Sequence, residues 1–217
     1  MTVYRKPHKL SAICFDIDNT LYRNEAYSDS QIRLLKIRLG EEKGWSMEEV
    51  EHELDRVKQI TEKQQSHGNW FKMLGIPIST SVKWREELLK PGDYLDRDFR
   101  LIRTLESLKD YALCALTNNP ASIGRKTLDS LGVLELFDLI IGLDDTGSSK
   151  PNIEPFIEIE KRLGVPREEI MIVGDRFDVD LDVPLQRGWG AVLVESMEDV
   201  YKLAECCPDS FSGGQKV

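Results

Sequence analysis

Four short segments hold the side chains best suited to reaction chemistry. Asp16-Ile17-Asp18-Asn19-Thr20 sets two carboxylates and a hydroxyl side by side. Thr117-Asn118-Asn119 offers a hydroxyl and two amides, and Ser148-Ser149-Lys150-Pro151 offers an amine beside hydroxyls. Gly174-Asp175-Arg176-Phe177-Asp178-Val179-Asp180 adds three acids. In an extended segment Asp16 and Asp18 lean to the same side, and Asp175 joins them if its segment runs alongside. Carboxylates gathered this way do not all stay ionised without a cation. An all-oxygen set with few protein ligands suits Mg²⁺, which keeps waters and shares its coordination with a phosphate. Such a cation also screens the repulsion between an anionic nucleophile and an anionic phosphoryl group. Thr117, the amide of Asn118 and Lys150 then supply donors where charge spreads in the transition state. Lys150 is expected just ahead of a helix N-terminus, where the helix dipole disfavours a cation unless an anion meets it there.

These segments must be brought to one place, and the pattern around them says how. Each follows or lies near a short apolar run: Ala12–Asp16, Ala112–Thr117, Leu139–Ile141 and Ile170–Gly174, with a further run at Ala191–Val194. The runs lack polar alternation, as strands do when helices cover both faces of a sheet. Helical spacing lies between them. Phe99, Ile102, Leu105 and Leu108 mark one helix. Ile123, Leu128 and Leu131 mark a second that ends at Gly132, and Ile153, Phe156, Ile157 and Leu163 a third that ends at Gly164. This alternation predicts an α/β fold, a Rossmann-like parallel sheet with helices on both faces. Ligands of such sheets sit beyond the carboxyl ends of the strands, where the four segments stand.

Residues 22–91 interrupt the alternation. The stretch reads as helical, with N-caps offered by Ser28 to Ser30 ahead of Ile32, Leu35 and Leu39. Ser46 and Glu49 form a capping box, and Ser79 to Lys90 forms a further helix. An all-helical domain inserted after the first strand is expected to act as a lid. The domains are thus 1–21 with 92–207 as the core, 22–91 as the cap, and 208–217 as a polar, Gly-rich flexible tail.

Taken together the segments resemble the haloacid dehalogenase superfamily of aspartate-nucleophile phosphotransferases, in its phosphatase branch with a helical cap. The carrying residues are Phe15-Asp-Ile-Asp-Asn-Thr-Leu-Tyr22, Thr117 in Leu116-Thr-Asn-Asn119, Lys150 in Ser149-Lys-Pro-Asn152, and Gly174-Asp175 with Asp180, in family order. The resemblance implies that Asp16 attacks phosphorus and becomes an aspartyl-phosphate, and that Asp18 protonates the leaving oxygen and then activates water. It implies that Asp16, the main-chain carbonyl of Asp18, and Asp175 hold Mg²⁺, with Asp180 supporting the metal and Thr20 orienting the loop. Thr117, Asn118 and Lys150 bind the phosphoryl group. Two departures stand out: Asp178 and Asp182 are extra acids, and Arg176 replaces the smaller residue common after the fourth motif's aspartate.

The implied substrate is a small phosphomonoester, with nucleotide and sugar phosphates as candidates. A phosphomutase on the same scaffold is the close alternative, and a non-catalytic binding subunit a more distant one. Dehalogenation is disfavoured because dehalogenating relatives lack the acid equivalent to Asp18. A signalling receiver domain is disfavoured because no lone Asp closes the third strand and receivers lack a cap. In the cap, Tyr22, His67, Asn69 and Trp70 are candidates for substrate contact, whereas Trp45, Trp84 and Trp189 read as packing.

Composition narrows the class. The net charge of −9 argues against a nucleic-acid partner. A hydrophobic fraction of 41% with 31% charged residues fits a globular chain. No apolar run nears the about 20 residues that span a bilayer, and no signal peptide is evident, so cytoplasmic residence is the expectation. The scattered Cys14, Cys114, Cys206 and Cys207 make neither a zinc site nor a disulfide framework. The chain is expected as a monomer or homodimer.

Overall fold

The computed structural model describes residues 1–60 and 66–207, without the side chain of His67. The expected tail at 208–217 and the role considered for the His67 side chain lie outside the described residues. Six strands form one sheet: β1 (Thr2–Arg5), β2 (Ala12–Phe15), β3 (Ala112–Leu116), β4 (Leu139–Ile141), β5 (Ile170–Gly174) and β6 (Gly190–Leu193), in the order β1-β6-β5-β2-β3-β4. β2 runs parallel to both β3 and β5, which places it centrally. β1 alone is antiparallel, against β6.

The period-two geometry of a strand sorts its side chains between two cores. Ile13 and Phe15 join Leu113, Met171, Val173 and Val192 on one face, covered by helices that include α5 (Phe99–Glu106) and α6 (Ala121–Leu131). Ala12 and Cys14 join Cys114, Ile170, Ile172 and Ala191 on the other, beneath Phe156 of α7 (Glu154–Leu163) and Trp189. The Trp189 indole is fully buried and donates to Glu160 at 2.8 Å, so it packs beneath the last strand. Burial on both faces explains why these strands read as unbroken apolar runs.

Helices α1 (Glu25–Lys43), α2 (Met47–Gln59), α3 (His67–Met73) and α4 (Ile78–Leu88) lie between β2 and α5. They share a third core that includes Leu35, Leu39, Val50, Leu54, Phe71 and Trp84. Trp45 and Trp70 pack against it. Tyr22 and Tyr27 belong instead to the sheet core, so the first turn of α1 is anchored there.

Several local expectations change. α1 starts earlier than the serines suggested: Asn24 is its N-cap, its side chain accepting from the Tyr27 amide at 2.9 Å. Ser46 and Glu49 do form the capping box of α2, and Gly132 and Gly164 do end their helices in the left-handed region. Phe99, Ile153 and Ile157 face outward, at 64%, 43% and 43% exposure, whereas the expected Leu105, Leu108 and Phe156 are buried, joined by Leu101 and Ile159. β1 was not legible as a strand. It is an edge strand with three exposed residues, so it shows no apolar run. No helix among the described residues is long and apolar enough to cross a membrane.

Candidate active site

The main chain of Asp16 continues the β2 ladder, its amide donating to the Val173 carbonyl at 2.9 Å. The carboxylate therefore stands at the carboxyl end of a central strand, and it is buried. The chain then turns sharply. Asn19 adopts φ 64°, a left-handed conformation that asparagine tolerates better than most residues, and the Leu21 amide closes back onto the Ile17 carbonyl at 3.0 Å. The turn returns Thr20 beneath Asp16, where its hydroxyl donates to Asp16 Oδ2 at 3.1 Å.

Asp16 is one corner of a charged hub. Lys150 Nζ, fully buried, donates to Asp16 Oδ1 at 2.5 Å and to Asp180 Oδ1 at 2.7 Å. The other Asp180 oxygen accepts from the Arg176 amide at 3.1 Å. Asp180 reaches the hub because β5 ends in glycine: a Cβ at Gly174 would lie 2.5 Å from the Asp180 Cβ. Asp16, Asp175 and Asp180 each offer a ligand oxygen, all within 4.8 Å of one another. Burial pushes the Asp16 carboxyl up to about 7; Lys150 pulls it down, while Asp180, Asp175 and Asp18 push it further up. Burial also raises Asp175, helped by Asp180. For Lys150, burial acts to discharge the amine, but Asp16 and Asp180 together outweigh it and hold its pKa above the ordinary lysine value.

The converging carboxylates are thus Asp16, Asp175 and Asp180, whereas side-chain spacing suggested Asp16, Asp18 and Asp175. The Asp18 carboxylate sits in a ring of neutral donors. Tyr22 OH and Gln31 Nε2 donate to Oδ1 at 2.7 and 3.2 Å, and Thr117 Oγ1 and Asn119 Nδ2 donate to Oδ2, both at 3.1 Å. Thr117 thus points into the site against Asp18. The side chain of Asn118 is engaged elsewhere: its Oδ1 accepts from the Lys150 amide at 2.8 Å and its Nδ2 donates to the Lys150 carbonyl at 3.3 Å. It ties the lysine loop to the end of β3. Asp178 is exposed and outside the hub. Arg176 Nε stands 3.8 Å from Asp175 Oδ1 and lines the cavity.

A cavity of about 110 Å³ opens between these strand ends and the helices, with Asp16, Asp18, Asn118 and Asn119 on the sheet side and Gln31 and Arg85 from α1 and α4. Gln31 and Arg85 escaped the sequence reading, and Asn119 was read within its motif without a role. Asn119 bridges Asp18 and Gln31, donating to both at 3.1 Å. Gln31 and Arg85 adjoin no such motif. None of the tryptophans lines this cavity. Asn69 instead accepts from Ser149 Oγ at 2.9 Å, and Ser66 and Ser149 share a hydrogen bond of 2.6 Å, which joins α3 to the lysine loop.

The hub fits a hard dication. Its donor set is all oxygen, Asp16 and Asp180 share the Lys150 amine while Arg176 stands near Asp175, and Asp175 Oδ1 is buried with no hydrogen-bond partner.

Comparison with known proteins accords with this geometry. The family model of haloacid dehalogenase-like hydrolases matches residues 10–183. The glyceraldehyde 3-phosphate phosphatase of Methanopyrus kandleri is 30% identical over 185 residues, 79% of this chain and 78% of that one. The phosphoglycolate phosphatase of Aquifex aeolicus is 34% identical over 102 residues, 43% of this chain and 47% of that one. Among solved structures, a HAD phosphatase from Thermococcus onnurineus shares the fold with a TM-score of 0.63 at 24% identity, covering 91% of this chain and 97% of that one. The chain belongs to the haloacid dehalogenase-like hydrolases. Within them it is a phosphatase, a phosphoric monoester hydrolase.

Proposed function

We propose that the protein hydrolyses a small phosphomonoester with Mg²⁺ bound, passing the phosphoryl group first to Asp16 and then to water. The observation that carries this reading is the buried Asp16 carboxylate at the meeting point of Lys150, Asp175 and Asp180. Asp16, Asp175, the main-chain carbonyl of Asp18 and a supporting Asp180 are the groups that would hold the cation. When bound, it neutralises the gathered carboxylates and a phosphoryl oxygen.

The chain's own residues carry the rest. A carboxylate oxygen of Asp16 attacks phosphorus, the ester P–O bond breaks, and the leaving oxygen takes the proton of a protonated Asp18. The Asp18 carboxylate then takes a proton from water as that water attacks the aspartyl-phosphate. The P–O bond to Asp16 breaks, releasing inorganic phosphate and restoring the carboxylate. Thr117 and Lys150 hold the phosphoryl oxygens, Asn118 fixes the lysine loop, and Thr20 holds Asp16 in line.

Residues 22–91 serve as a lid over a core made of 1–21 and 92–207. The separate hydrophobic core of the helices supports this, as do Gln31 and Arg85 reaching into the cavity. A lid that closes over the strand ends excludes water from the acyl-phosphate until Asp18 activates one. The test is phosphate release from p-nitrophenyl phosphate with Mg²⁺. Wild-type turnover that disappears in Asp16→Asn and with EDTA is the expected result. A wild type that releases no free phosphate defeats the reading.

A further inference from the structure

Arg85 has a chemistry that the proposed reaction does not use. It sits on α4 with 3% of its surface exposed, and it lines the cavity that holds Asp16 and Asp18. Its Nη1 donates to the Ser81 carbonyl at 3.1 Å and to the Ser81 hydroxyl, both neutral acceptors one helical turn away. Its Nε is buried with no hydrogen-bond partner. Its Cζ lies 5.9 Å from the centre of the Phe71 ring, so an apolar face backs it. Burial lowers its pKa to about 10, with Asp18 pulling the other way.

Among the described residues Arg85 has no ion-pair partner, and a buried guanidinium so placed is unfavourable in the free protein. The arrangement makes sense if the partner comes with the ligand. The phosphoryl group already has Lys150, Thr117 and a cation on the sheet side. Arg85 reaches in from the helices, so its counter-ion is a different group of the same ligand. A guanidinium fork suits a planar carboxylate. The cavity of about 110 Å³ lies well below the size of a pocket for a large ligand, so the two anionic groups are only a few carbons apart.

Resting on the phosphatase reading, we propose that Arg85 is a specificity-determining residue and that the substrate is a short phosphorylated carboxylic acid whose carboxylate pairs with the free edge of its guanidinium. A buried site built to pair with a group rejects the analogue that lacks it.

The test compares two probes with the same carbon skeleton, 2-phosphoglycolate and 2-hydroxyethyl phosphate, with Mg²⁺. Wild type is expected to show the higher kcat/KM on phosphoglycolate. Arg85→Met should lower that value roughly 100-fold while changing hydroxyethyl phosphate by less than about threefold. Arg85→Lys, which keeps the charge and loses the fork, should restore part of the preference. Arg85→Met should also melt no lower than wild type, since it removes an unpaired buried charge. Equal losses on both probes, no loss on either, or a wild type indifferent to the carboxylate would overturn the assignment and leave the phosphatase reading standing. A wild type that releases phosphate from neither probe nor from p-nitrophenyl phosphate defeats the reading beneath it.

Discussion

Asp16 and Asp18 stand two residues apart in one loop, yet their carboxylates live in different surroundings. Asp16 is held by a buried ammonium and faces two more acids, all from the ends of strands or the loops that follow them. Asp18 is held by neutral donors, and one of these, Gln31, lies on α1 among the helices. The first carboxylate is held by the opposite charge of Lys150 and by the Thr20 hydroxyl of its own loop. The second depends partly on the helical segment for its orientation. In the proposed reaction the nucleophile is thus set in advance, while the proton-transferring group is tuned by the helical segment proposed as the lid.

Substitutions break or sharpen that contrast, beginning with the largest effect. Asp16→Asn should remove turnover by at least about 10³-fold, measured as phosphate release, with the fold intact by circular dichroism. Lys150→Met should strand Asp16 and Asp180 without their counter-charge and destabilise the metal-free protein by about 3–5 kcal/mol, read from urea unfolding in EDTA. Added Mg²⁺ should recover part of that loss. On the neutral side, Gln31→Leu should lower kcat roughly tenfold through a displaced Asp18 while leaving the urea midpoint near wild type. A Gln31 variant as unstable as the Lys150 one would erase the contrast.

The raised Asp16 carboxyl gives a smaller, signed effect. A carboxyl pushed up to about 7 favours the folded state when protonated, and that contribution fades as pH rises through 7. A dication needs the ionised form. Apparent Mg²⁺ affinity should therefore fall by up to about tenfold per pH unit below 7, and the melting shift produced by Mg²⁺ should be larger at pH 8 than at pH 6. A shift independent of pH would contradict it. Smallest of all, Ser46→Ala removes the cap of α2 and should cost about 1 kcal/mol with unchanged kcat/KM.

The sheet side was legible in the sequence because its signals are local. Each acid or hydroxyl follows an apolar run closely, and each run is buried on both faces, so pattern and position agree. The Gly174 that admits Asp180 could be read as a motif glycine, but only the contact distance says what it makes room for. On the helical side the elements were legible but the site residues were not, since polar residues such as Gln31 and Arg85 look like ordinary solvated helix positions until the fold turns them inward. Phe99 misled in the opposite sense: the helical spacing was real, but the buried stripe joins Leu101, not Phe99, to the expected Leu105 and Leu108. The Asn24 cap was missed because serines nearby are equally good caps, and tertiary anchoring of Tyr27 decides between them.

Hydrogen bonds between α3 and the lysine loop join uncharged groups: the Ser66 and Ser149 hydroxyls and the Asn69 and Asn152 amides. Parting them separates no opposite charges. The proposed lifting of the helices from the strand ends should then depend little on ionic strength at this seam, because Debye screening acts on charges and not on hydroxyl pairs. Capture of an anionic ligand by the basic groups below should weaken as salt rises. Salt would therefore alter how well the enzyme fills and leave untouched how often it opens, a separation that stopped-flow measurements over a range of KCl concentrations can resolve.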